Sequence, residues 1–109
     1  MIEIQIDYQE ERIQGFTVKG HAGFGTAGED IYCAGVSAIT LTALEGLLRY
    51  LSQPPYYQVE AGLMECRLVN DLSPEERETA SIILGTMETG LNAMQESYSE
   101  YLSVKVRRL

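Results

Sequence analysis

The sequence predicts an α+β domain of two layers, a mostly antiparallel sheet with two helices on one face, in the order ββαββαβ. Three observations lead there. Residues 2–8, 63–69 and 102–107 alternate apolar with polar or charged side chains, as strands with one dry and one wet face do. Residues 31–51 and 74–98 repeat apolar side chains at helical spacing. The strand patterns come in close pairs, which favours antiparallel hairpins over parallel βαβ units.

The first strand puts Ile2, Ile4, Ile6 and Tyr8 on one side and Glu3, Gln5 and Asp7 on the other. A polar turn over 9–12 leads to a second strand over 13–19, with Phe16 and Val18 inward. A glycine-rich loop follows, from Gly20 to about Asp30. The helix over 31–51 has Glu45 and Arg49 as its only charges, an i,i+4 pair that marks an exposed stripe. Val36, Ile39, Leu41, Leu44, Leu47, Leu48 and Leu51 cover most of its circumference, so it reads as a central buried helix. Pro54 and Pro55 stop it.

Residues 56–61 and 63–69 flank Gly62 as a second hairpin. Met64, Cys66 and Leu68 form its apolar side. Ser73, Pro74 and Glu76 then read as an N-cap, a first-turn proline and a capping box. The helix that follows carries Ala80, Leu84, Met87, Leu91, Met94 and Tyr98 on one stripe and lies on the surface of the core. Val104 and Val106 alternate with Lys105 and Arg107 in the last strand.

A length of 109 residues fits a single domain, 1–109, and 45% apolar residues suffice for one modest core. No stretch of roughly eighteen consecutive apolar residues suggests a membrane span. The start, Met-Ile-Glu-Ile-Gln-Ile-Asp, does not resemble a signal peptide, and two cysteines are too few for a disulfide scaffold. A cytoplasmic protein with reduced thiols is expected. The net charge of −8 argues against direct nucleic-acid binding, which needs lysine and arginine. Solubility alone is the plainer reading of this acidity; as an electrostatic partner, a basic protein or peptide fits better than nucleic acid.

Residues 20–37 hold the only histidine, His21, and one of two cysteines, Cys33. They also hold five of the ten glycines. A thiolate is activated by a nearby imidazole and by a helix N-terminus, and both are available here. With Asp30 as N-cap, Cys33 falls in the first turn, where the helix dipole favours negative charge. First-turn amides supply an oxyanion hole, worth roughly 3 kcal/mol per donor in known enzymes. Ser37 lies one turn after Cys33 on the same face. The bland alternative is a small core cysteine and a surface histidine. Cys66, on the apolar side of a strand, takes that bland role.

Gly23-Phe24-Gly25-Thr26-Ala27-Gly28 matches G-x-G-x-x-G, but the context is wrong. A dinucleotide site needs a parallel βαβ unit, and Glu29 and Asp30 would oppose a phosphate. Gly23, Phe24, Gly25 and Gly28 read better as a substrate-covering loop. His21, Cys33 and Cys66 are too few for a closed zinc site, so neither metal nor cofactor is expected.

Gly20-His21-Ala22 and Gly28-Glu29-Asp30-Ile31-Tyr32-Cys33-Ala34-Gly35-Val36-Ser37 together resemble the signature of the bacterial ribosomal-processing cysteine protease family (Prp, or YsxB-like). The resemblance implies His21 as general base and Cys33 as nucleophile, with Asp30 and Ser37 assisting. It implies a homodimer that removes the N-terminal extension of the large-subunit ribosomal protein numbered twenty-seven. The competing expectation is a non-catalytic, ribosome-associated binding module that uses residues 20–37 as a recognition loop.

Overall fold

A computed structural model describes residues 1–20 and 30–109; for Asp30 the backbone alone is described. The elements follow the expected order: β1 (Ile2–Gln9), β2 (Arg12–Lys19), α1 (Asp30–Tyr50), β3 (Tyr56–Glu60), β4 (Leu63–Arg67), α2 (Pro74–Ser97) and β5 (Leu102–Arg108). The five strands form one sheet in the order β3-β4-β2-β1-β5. All pairings are antiparallel except that of β5 with β1, which is parallel and reached through α2.

Alternation in β1 works as expected, and Ile2, Ile4 and Ile6 are buried. They meet Phe16, Met64, Cys66 and Leu102 from neighbouring strands in one core with Val36, Leu44 and Leu47 of α1 and Leu84, Met87 and Leu91 of α2. Near the end of β1 the register with β2 shifts. Asp7 faces Gly15 and Tyr8 faces Ile13, so Gln14 is an extra residue in β2. Such a bulge bends the strand and breaks alternation. Residues 13–16 are accordingly all buried. The buried Gln14 amide is satisfied by the Leu68 carbonyl at 3.1 Å.

Asp7 corrects a second expectation. It lies on the polar side of the sheet, yet it is only 2% exposed. Arg107, its register partner on β5, covers it with two bonds of 3.0 and 3.1 Å.

The expected central burial of α1 is corrected as well. Val36, Thr40, Ala43, Leu44 and Leu47 face the core, but Ile31, Ala34, Ala38, Leu41 and Thr42 are exposed. By length and composition alone α1 could cross a membrane. In a two-layer fold only one side of a helix meets the sheet, so apolar composition overstated how deeply it sits.

α2 starts as its sequence suggests. Ser73 Oγ accepts from the Glu76 amide at 3.2 Å, with Pro74 in the first turn. The Glu76 carboxylate bonds elsewhere, accepting from the Ser52 amide at 2.8 Å and the Ser52 hydroxyl at 3.1 Å. It therefore ties the start of α2 to the segment after α1.

Candidate active site

Cys33 is the fourth residue of α1 and is half-buried. Asp30 is the first helical residue, one position inside the cap role the sequence suggested. Helix ends shift by that much between definitions. Cys33 therefore sits in the first turn of a 21-residue helix, at the positive end of its dipole.

It opens into a groove of about 220 Å³. One wall is α1, with Cys33, Ser37 and Leu41. The other runs from the end of β2 (Val18, Gly20) across the β3–β4 hairpin, including Val59, Glu60 and Gly62. Ser37 thus shares the groove with Cys33, as its spacing of one turn requires. Thr40 lies beneath, its hydroxyl donating to the Val36 carbonyl at 2.8 Å. A larger polar depression of about 460 Å³ lies on the opposite face of the sheet, around Gln5, Thr17 and Arg67. An apolar one of about 610 Å³ lies between the helices, around Ile39 and Ile83. Neither includes Cys33.

Gly20 stands at the lip of the Cys33 groove, and the chain leaves it toward His21. Its φ is +89°, and a Cβ there would lie 2.7 Å from the Met1 carbonyl oxygen, so only glycine fits. Its amide donates to the Gly62 carbonyl at 3.0 Å, joining the end of β2 to the β3–β4 turn. His21, Gly23, Phe24, Gly25 and Gly28 lie outside the described residues.

Three contacts that sequence reasoning missed hold the Cys33 turn in place. The Tyr32 ring stacks on Tyr101, with centroids 4.2 Å apart and planes 9° from parallel. It also meets Tyr98 at 5.0 Å and 55°. At Gly35 a side chain would meet the Met94 methyl at 3.0 Å, so glycine lets α1 come close to α2 there. Tyr98 is exposed at the end of α2 rather than continuing its buried stripe. The clue was in the sequence, since aromatic residues cluster in 98–101, but their partner is 66 positions away from Tyr98, at Tyr32.

The second cysteine behaves differently. Cys66 is 3% exposed, and burial pushes its thiol up to about 12. It is a core residue, as its strand position implied.

The chain matches the family model for cysteine protease Prp over residues 1–103. It belongs to the Prp cysteine protease family. Relatives named ribosomal processing cysteine protease Prp share the full length. The Bacillus subtilis protein is 27% identical, covering 95% of this chain and 96% of its own. A Staphylococcus aureus protein is 29% identical, covering 98% and 100%. A crystal structure of S. aureus Prp, described as an essential ribosomal processing protease with a covalently linked product peptide, has a TM-score of 0.84 at 27% identity. It covers 98% of this chain and 100% of that one. A second, with a substrate peptide, has a TM-score of 0.84 at 26% identity. A Streptococcus mutans structure, at TM-score 0.86 and 21% identity, supports the fold alone. The five-stranded sheet and two helices are thus the Prp fold.

Proposed function

We propose that Cys33 and His21 form the catalytic dyad of a cysteine endopeptidase. Its substrate is the N-terminal extension of the large-subunit ribosomal protein numbered twenty-seven. The observation that carries this reading is the position of Cys33 at a helix start, in an open groove whose lip is the residue before His21. Family membership supports it, as do relatives named for ribosomal processing and a relative with a covalently linked product peptide.

In this mechanism the imidazole of His21 takes the proton of the Cys33 thiol. The thiolate attacks the scissile carbonyl, and amides at the start of α1 hold the oxyanion that forms. The C–N bond breaks as His21 gives its proton to the leaving amine. Water then attacks the thioester, and Cys33 leaves as the thiol. Asp30 and Ser37 assist, and residues 23–28 cover the bound peptide. The chain works in the cytoplasm, where thiols stay reduced, as a homodimer. A net charge of −8 attracts a basic ribosomal protein.

The test is incubation with the extended ribosomal protein. Wild type removes the extension, and Cys33→Ala and His21→Ala do not. A protein that binds the extension without turnover would instead be a recognition module.

A further inference from the structure

The sheet has two edges, β3 and β5, and they are built differently. β5 carries Lys105, Arg107 and Arg108, and its Val104 amide donates to the Gln95 side chain of α2. Charges and covering groups of this kind blunt an edge against further pairing. β3 lacks them. All five of its residues are exposed, and Glu60 is its only charge. Tyr56, Tyr57 and Val59 are 71%, 53% and 50% exposed. β3 pairs with β4 on one side only, and among the described residues no side chain bonds its backbone.

The open edge runs into the Cys33 groove. Val59 and Glu60, at its C-terminal end, line that groove across from Leu41 of α1. Tyr57 and Val59 are register partners of the buried Cys66 and Met64, so they share the helix-side face. Tyr56 and Gln58 face the other way.

We propose that the peptide substrate adds to the edge of β3 as a sixth strand, seating an apolar side chain between Leu41 and Val59 beside Cys33. This rests on the protease reading above. Backbone pairing along β3 gives affinity that is indifferent to sequence, while alternate side chains meet Val59 and Tyr57 or Tyr56 and give preference. A protease must hold its substrate extended to expose one peptide bond, and an unpaired strand ending at the nucleophile does so. The guarded β5 edge leaves β3 as the edge fit to pair.

The experiment uses the full chain and peptides spanning the extension junction, each N-methylated at one amide. Cleavage should fall about tenfold or more at alternate positions and persist between them, since each lost backbone bond is worth about that factor. Val59→Lys and Leu41→Lys should raise KM by a similar factor. Both side chains are exposed, so melting temperature should stay unchanged. If wild type cleaves the plain peptide while every methylated peptide and both variants perform equally, the strand-addition inference falls and the protease reading stands. If wild type leaves the plain peptide intact, hydrogen exchange in Cys33→Ala decides. Protection of the β3 amides by the peptide keeps strand addition and removes the substrate assignment; no protection overturns both.

Discussion

The Gly20 amide is bonded to the Gly62 carbonyl at 3.0 Å, so the strand that leads to His21 is tied to the hairpin facing Cys33. Gly20→Ala should disturb both ends of this link. Its φ of +89° disfavours a side chain, and the new Cβ would press on the Met1 carbonyl. A cost of about 1–3 kcal/mol is expected, read by denaturant unfolding. kcat/KM should fall further than the loss of folded protein explains, because the residue after Gly20 is His21.

The Tyr32–Tyr101 stack should couple the Cys33 turn to the turn that precedes β5. Tyr32→Ala and Tyr101→Ala should each destabilise the fold. A double-mutant cycle should return a favourable coupling, since stacked aromatic rings attract beyond the area they bury. Additive effects would mean that the stack carries no energy of its own.

Arg107→Ala should cost about 1–3 kcal/mol, because it strips two charge-assisted bonds from a carboxylate that is nearly buried. Gln5 Nε2, at 3.0 Å, remains to hold Asp7 Oδ1. Arg107→Lys should recover only part, since an ammonium cannot form the two-pronged contact. Processing activity should change little, as the pair lies on the sheet face away from Cys33.

Cys66 gives the stability a sign at high pH. Its folded pKa is raised to about 12 from an ordinary 9.0 because burial disfavours the thiolate. The unfolded chain therefore loses this proton first. The contribution is whole below pH 9 and is lost as pH rises through 9 to about 12, with a slope of up to about 1.4 kcal/mol per pH unit. Cys66→Val should flatten the fall between pH 9 and 10. Above pH 10 Tyr8 adds to it, since burial and its bond to Glu88 raise that hydroxyl to about 12 as well. At pH 8, iodoacetamide should modify Cys33 and spare Cys66.

Local patterns were readable where local physics decides. Alternation placed Ile2, Ile4 and Ile6 in the core, and the Ser73–Pro74 start of α2 followed from capping chemistry. Features that depend on a distant partner were not readable. Nothing near Gln14 announces a bulge, because a bulge is a mismatch with β1. Glu76 looked like half of a capping box, but Ser52, 24 positions earlier, takes its carboxylate. The apolar circumference of α1 pointed to full burial, and the number of layers overruled it. Near the proposed site, helical spacing correctly put Ser37 in one groove with Cys33, while His21, named from residue type and signature, lies outside the described residues. Leu41 and Val59, which line the groove with Cys33 and Ser37, were invisible until α1 and β3 stood side by side.

The most direct test of the catalytic reading is intact-mass analysis of enzyme quenched while it processes the extended ribosomal protein. A covalent adduct of the mass of the acyl fragment should appear, map to Cys33, and be absent from Cys33→Ala, which should also leave the substrate whole. His21→Ala should slow both adduct formation and cleavage, and Cys66→Val should alter neither. Complete removal of the extension by Cys33→Ala, or an adduct on any residue other than Cys33, would contradict it.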